Sequence, residues 1–213
     1  MRITRDQAAE NRARAVDAAA KLFRAKGFDA VGVAELMAAA GMTHGGFYNH
    51  FDSKEEIEAA ACERVFDKSV ARMEEIAAIA DADQRKQAFE DYARRYVSRE
   101  ARDATAPRCP MVAFAGDVSR QSERVREAYA AGLRAYLDAF ARSRSSKPSE
   151  AARRRAIRQF AELAGALTLA RSVARADPKL SDEFLEAVAL RRARSPTPAA
   201  RSRVLFDGSF GGN

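Results

Sequence analysis

Tryptophan is absent from this 213-residue chain, which also holds only two cysteines, two histidines and six prolines. Cys62 and Cys109 cannot build a disulfide framework, and their spacing fits no metal site, so neither a metal nor a cofactor is expected. No run approaches the roughly 20 apolar residues that a membrane span needs. The opening residues, MRITRDQAAENRARA, carry charge where a secretory signal would be apolar. These absences point to a soluble cytoplasmic protein with no membrane partner. Period-two alternation of β-branched and aromatic residues is missing as well, so no sheet is expected.

What remains is 47% hydrophobic and 31% charged, with alanine the commonest residue. That is apolar material enough for a substantial core, and it excludes wholesale disorder. Helix formers dominate nearly every window, and the fold expected is all-α. The net charge of +7 suits a polyanionic partner. It is not concentrated at the N-terminus, however: residues 1–54 carry eight Lys/Arg against six Asp/Glu, whereas residues 191–213 carry five Arg against one Asp.

Helical spacing predicts a first helix over 7–26 closed by Gly27, and a short second one over 33–40 begun at Gly32 and broken by Gly41. Thr43 is the expected N-cap of a third, over 44–50. Asp52, Ser53 and Glu56 form the capping box of a fourth that runs to about residue 80. Further helices are expected over 84–102, 110–118 (opened by Pro110), 121–143, 149–176 and 181–193. The last residues, 194–213, have no helical period and read as a flexible tail.

The stretch GMTHGGFYNHFDSKEE is the most informative. A helix, a Gly27 turn, a short helix, a three-residue turn and another short helix make a helix-turn-helix. Phe47 and Phe51, four apart, can bury together. Gly45 and Gly46 each cost about 1 kcal/mol of helix propensity, a poor choice unless the helix must approach something closely. Thr43 sits at a helix start, where phosphate oxygens bind readily, and Arg2, Arg5, Arg12 and Arg14 form a candidate basic arm or merely a solvated helix start. The competing reading is a plain loop between two core helices.

Residues 10–60 resemble the DNA-binding domain of TetR/AcrR-family transcriptional repressors. The resemblance is carried by Leu-Phe-x-x-x-Gly-Phe at the end of the first helix, the Ala-Gly-Met-Thr turn, and Phe-Tyr-Asn-His-Phe-x-Ser-Lys-Glu. It implies a helix-turn-helix DNA-binding domain over 1–53, then a helical effector-binding and dimerisation domain over 54–193. It further implies that Thr43, Tyr48, His50 and Lys54 contact DNA phosphates, and that His44, Gly45 and Phe47 lie on or near base edges. The family's usual Ser or Thr before the second helix is Gly32 here. The partners implied are a double-stranded DNA operator, a small-molecule effector and a second copy of the chain. For that second copy, the stripe Ala156, Phe160, Leu163, Leu167 and Ala170 is either a dimer seam or core of the monomer.

A ligand pocket lined by Phe66, Phe89, Tyr92, Tyr96, Phe114, Tyr129, Leu133 and Tyr136 is the corresponding expectation, with Arg95, Arg99 and Arg134 as candidate partners of an anion. The alternative is that these aromatics are core. Cys109 is expected at a helix start beside Arg108, where dipole and guanidinium lower a thiol's pKa. Some family members sense oxidants through a regulatory-domain cysteine, which makes Cys109 a candidate redox switch; otherwise it is a small buried residue. An enzyme using Cys109 as nucleophile lacks a nearby base, since both histidines lie in the DNA-binding stretch. A scaffold that keeps the fold without operator recognition is the third reading.

Overall fold

Helix starts in this chain are set by short polar side chains. The computed structural model describes residues 4–145 and 149–193, with side chains as far as Ala189. Its elements are α1 (Arg5–Lys26), α2 (Val33–Ala39), a 3₁₀ turn (His44–Asn49), α3 (Lys54–Ala77), α4 (Ala82–Tyr96), α5 (Arg99–Asp103), α6 (Pro110–Phe114), a second 3₁₀ turn (Val118–Arg120), α7 (Glu123–Arg144), α8 (Glu150–Val173) and α9 (Pro178–Ala193). No strand occurs among the described residues, and the fold is all-α. Thr4, Ser53, Asp81, Ser98, Ser122 and Ser149 each accept the N–H three residues on, satisfying a donor that a helix start leaves orphaned. At α3 the bond is reciprocated one residue early: the Glu56 carboxylate accepts the N–H of Asp52 at 2.7 Å.

Several boundaries differ from expectation. The helix expected over 84–102 is two, because Ser98 caps a fresh start at α5. That expected over 110–118 ends at Phe114, before the second 3₁₀ turn. The last helix begins at Pro178, three residues before Ser181. Proline lacks only an N–H that the first turn leaves unused, and Asp177 accepts from Leu180 at 3.0 Å. The expected α-helix over 44–50 is 3₁₀, the tighter form common in short pieces, with Gly46 N–H donating to the Thr43 carbonyl at 3.0 Å. The tail expected over 194–213 lies outside the described residues.

The core is continuous from α1 to α9 and runs across residues 53–54 without a break. α3 packs on both α1 and α7, the latter being its more extensive partner. Phe23, Phe28 and Phe114 stack in sequence, with centroids 5.2 and 4.8 Å apart, and join α6 to the end of α1. A second aromatic cluster of Phe89, Tyr136, Phe140 and Phe160 binds α4, α7 and α8. Each such pair adds about 0.5–1.5 kcal/mol beyond area burial.

The stripe Ala156, Phe160, Leu163, Leu167 and Ala170 is buried within the chain itself. Of its two readings, monomer core is the one observed. α8 turns a different face to solvent: Ile157 and Leu169 are exposed, and Gly165 has open space where a Cβ would stand.

Candidate nucleic-acid interface and regulatory cavity

Phe47 anchors the first 3₁₀ turn. Its ring is 1% exposed, 5.4 Å from Phe51 and edge-on to Tyr48 at 5.2 Å. With Phe47 inward, Thr43, His44, Gly45, Tyr48 and Asn49 are exposed and His50 is half-buried. Tyr48 is 71% exposed, beyond any other large apolar side chain described. Among the described residues only Gly27 and Gly41 have positive φ, so the backbone does not demand glycine at 45 or 46. A Cβ at Gly45 would meet nothing within 4 Å, and one at Gly46 would make only ordinary contacts. Nothing inside the protein therefore requires glycine at 45.

One expectation needs correction, and the local contacts of two further residues qualify theirs. The Phe47 side chain belongs to the core, because the hydrophobic anchor of so short a turn has to face inward; it is not available to base edges. Lys54 turns back on the protein itself: Nζ donates to the Phe28 carbonyl at 3.0 Å and lies 3.1 Å from Glu58. Thr43 occupies the expected N-cap position, and its hydroxyl makes no capping bond. In the basic arm, Arg12 is committed to Glu56 at 2.6 Å and covers the Phe51 ring, and Arg14 donates to Asn11 at 2.8 Å. Arg2 lies outside the described residues.

A cavity of about 680 Å³ opens between α1, α3, α4, the 98–110 segment, α7 and α8. Of the eight pocket residues expected, it brings together Tyr92, Tyr96 and Tyr136. Phe66, Phe89 and Phe114 are instead fully buried packing residues, while Tyr129 and Leu133 pack against the core away from the cavity. Tyr129 meets Phe66 ring to ring at 5.3 Å. Phe89 packs on Phe140 of α7 and Phe114 on Phe28 after α1, so these side chains are spent on joining elements of the fold. Arg95 lines the cavity; Arg99 is paired with Asp182 at 2.7 Å, and Arg134 lies elsewhere.

Sequence reasoning missed the cations. Arg24 on α1, Arg64, Lys68 and Arg72 on α3, and Arg108 all line the cavity. The signal was present: 17, 20 and 24 share one face of α1, and 64, 65, 68 and 72 share one face of α3, each mixing small or apolar residues with charge. Because Ala20 and Arg24 belong to α1, a cavity occupant would touch the N-terminal helices directly. Arg24 Nη1 donates to the Pro107 carbonyl at 3.1 Å, and Gln121 donates to Asp29 at 3.1 Å. The 104–121 segment thus borders both the cavity and the turn after α1.

Inside, the Tyr92 and Tyr136 hydroxyls are 2.8 Å apart, and Tyr96 donates to Cys109 Sγ at 2.9 Å. Burial pushes the Cys109 thiol above its ordinary value, and the bonds from Tyr96, Val112 and Met111 offset this only in part. The expected lowering is therefore corrected. α6 is five residues long, too short for a strong dipole, and Arg108 is exposed to screening water. Burial likewise pushes Cys62 up to about 12. No described helix is long and apolar enough to cross a membrane.

Residues 15–61 match the family described as "Bacterial regulatory proteins, tetR family". An uncharacterized HTH-type transcriptional regulator, YerO of Bacillus subtilis (strain 168), is 36% identical over 67 residues, or 32% of this chain. The match spans 23% of that protein's length. The reduced form of NemR from E. coli has the same fold, with a TM-score of 0.70 at 23% identity over 86% of this chain and 96% of that one. A TetR transcriptional regulator from Chloroflexus aurantiacus J-10-FL gives 0.62 at 26% identity, over 89% and 97%. One from Legionella pneumophila gives 0.65 at 18%, over 84% and 95%. Residues 15–61 are thus a TetR-family helix-turn-helix domain, and the chain around them has the fold of TetR-family transcriptional regulators.

Proposed function

We propose that the protein is a homodimeric, cytoplasmic repressor that leaves its operator when a small molecule fills the cavity. One observation carries the DNA half: Gly45 sits on an exposed turn with neither a backbone nor a packing reason to be glycine. A partner that comes up against the backbone supplies that reason. In this reading Thr43, Tyr48 and His50 grip phosphates while His44 and the bare backbone at Gly45 approach base edges. Lys54 serves first as the brace between α3 and the turn after α1, and adds to the phosphate grip only by leaving Phe28 and Glu58.

Dimerisation is supported by apolar side chains left exposed on the last two helices, Ile157 and Leu169 on α8 with the small Gly165 between them in sequence, and Leu180 on α9. Two-fold symmetry then sets the half-sites about 34–36 Å apart, or a multiple of that. Ligand control follows from the cavity wall. An occupant touching Arg24 and the 104–110 segment has different affinities for two placements of α1, and that difference is all that coupling requires.

Gel shift against the DNA upstream of the protein's own gene tests this reading. Expected are binding that weakens steeply with salt yet keeps its preference over random sequence, and loss of the shifted band with some small molecules. Equal affinity for random DNA would overturn specific repression.

A second reading makes Cys109 a sensor of oxidants or electrophiles. It is favoured by the place of Cys109 on the cavity lining, where a small electrophile reaches it, and opposed by the raised thiol. Retained operator release by oxidant in Cys109→Ser would end it.

A further inference from the structure

The lining of the cavity is unbalanced in charge. Six cationic side chains face it against two carboxylates, Asp17 and Glu100. Asp17 is already neutralised, 2.9 Å from Lys68 and 3.6 Å from Arg64, and Arg72 is held by Glu75 at 2.7 Å. Arg24, Arg95 and Arg108 have no carboxylate partner among the described residues. Arg24 is the most constrained of them. It is half-buried, gives its hydrogen bonds to the neutral carbonyls of Ala20 and Pro107, and is destabilised as a cation by burial and by the like charge of Arg108. A partly desolvated guanidinium beside a second one is a site short of an anion. Deeper in, the lining turns aromatic and apolar: Tyr92, Tyr96, Tyr136 and Leu167. One phenol hydrogen of the Tyr92–Tyr136 pair has no acceptor among the described residues, since a single bond joins the two. The volume lies within the range of small-molecule sites.

We propose that the cavity takes an aromatic anion, its charged group held between Arg24 and Arg108 and its ring system among Tyr92, Tyr96 and Tyr136. This rests on reading the cavity as the effector site and adds the effector's chemical class. Because Arg24 belongs to α1, the anion is sensed by the same helix that carries the helix-turn-helix. A cationic or a neutral aromatic leaves the two guanidiniums uncompensated and binds less well.

The test uses two dyes with the same rings, anilinonaphthalene sulfonate and the uncharged phenylnaphthylamine, titrated by fluorescence into the full chain. The sulfonate is expected to bind more tightly. Arg108→Gln, at an exposed side chain with no hydrogen-bond or carboxylate partner among the described residues, should weaken the sulfonate roughly five- to tenfold and leave the neutral dye unchanged. Arg95→Gln is the second variant, with a smaller effect in the same direction. Equal affinity for the two dyes, or sulfonate binding indifferent to both substitutions, would overturn the proposal. Gel shifts with the sulfonate separate the two readings. Arg108-dependent binding without operator release supports the anion site and counts against effector control. Release by neutral compounds alone, with no Arg108-dependent sulfonate binding, leaves effector control standing and overturns the anion site.

Discussion

Gly132 on α7 lies so close to Phe66 on α3 that a Cβ would come within 2.3 Å of the ring's Cγ. Phe66 is 1% exposed and wedged between α3 and α7, the most extensive helix pair in the fold. The ring has nowhere to go. Gly132→Ala gains up to about 1 kcal/mol of helix propensity, but overpacking of this kind costs about 1–3 kcal/mol. A net loss is expected, seen as a melting midpoint lowered by a few degrees.

Gly45→Ala should behave in the opposite way. No positive φ and no neighbouring atom stand against the added methyl, so the melting midpoint should hold or rise slightly. Operator affinity should nevertheless fall, by about tenfold for a methyl that holds the backbone off the groove floor. Tyr48→Ala, at a side chain that packs mainly on solvent, should weaken specific and random DNA alike. His44→Ala should instead shift sequence preference. Gel shift and thermal melting on the same preparations separate the two quantities.

Lys54→Met probes the brace. Burial raises the Glu58 carboxyl above the ordinary carboxylate range, and Lys54 pulls it back down. A raised folded-state value means that the charged form costs stability above that pH. The cost fades as pH falls toward the unfolded value of about 4.3. Removing the ammonium leaves Glu58 without its partner and enlarges the cost. The variant should lose about 1–2 kcal/mol near neutral pH, and less as the pH approaches 4. Urea denaturation at the two pH values reads this directly. A penalty independent of pH would sever the link to Glu58.

Cys109 should be a slow nucleophile. Its raised thiol leaves less thiolate at neutral pH than a free cysteine has. Alkylation by iodoacetamide should therefore lag behind a small-molecule thiol near neutral pH and rise as the solution becomes more alkaline than an ordinary thiol requires. Cys62, buried and with its thiol pushed up to about 12, should react only after unfolding. Rapid modification of folded protein at neutral pH would reinstate the sensor reading.

How far the sequence could be read divides along the range of the forces involved. Ser53, Ser98 and Ser149 act on N–H groups three residues away, so most helix starts were visible in a short window. The helix-turn-helix was legible because Gly27, Gly41 and Phe47 do their work within a few turns of chain. α9 starts at Pro178, ahead of the expected Ser181, because proline serves well as a first helical residue. The side chain of Lys54 is different: its partner Phe28 lies 26 residues away, and nothing local says whether the ammonium faces DNA or protein. Cys109 fails for a related reason, since burial is a property of the assembled core and outweighed the local helix start and Arg108. The cavity combined both problems. Its tyrosines were recognised as aromatics at helical spacing, but three of eight could not be sorted from the rest without knowing which faces of α4 and α7 met one another.

α8 poses the same problem and yields the last test. Apolar residues occupy two of its faces, and the larger one, with Phe160 and Leu163, is spent on the chain's own core. The smaller keeps Leu169 at 47% and Ile157 at 40% exposure on either side of Gly165, where a Cβ would stand in open space. If a second copy covers that face, Leu169→Arg places a charge in an apolar seam while disturbing nothing within the monomer. The variant should melt as a folded helical protein yet elute at half the mass of the parent in size-exclusion chromatography with light scattering. Its operator affinity should drop sharply, because two half-sites are then no longer bound as one unit. Full operator affinity with unchanged mass would show that this face is not the seam.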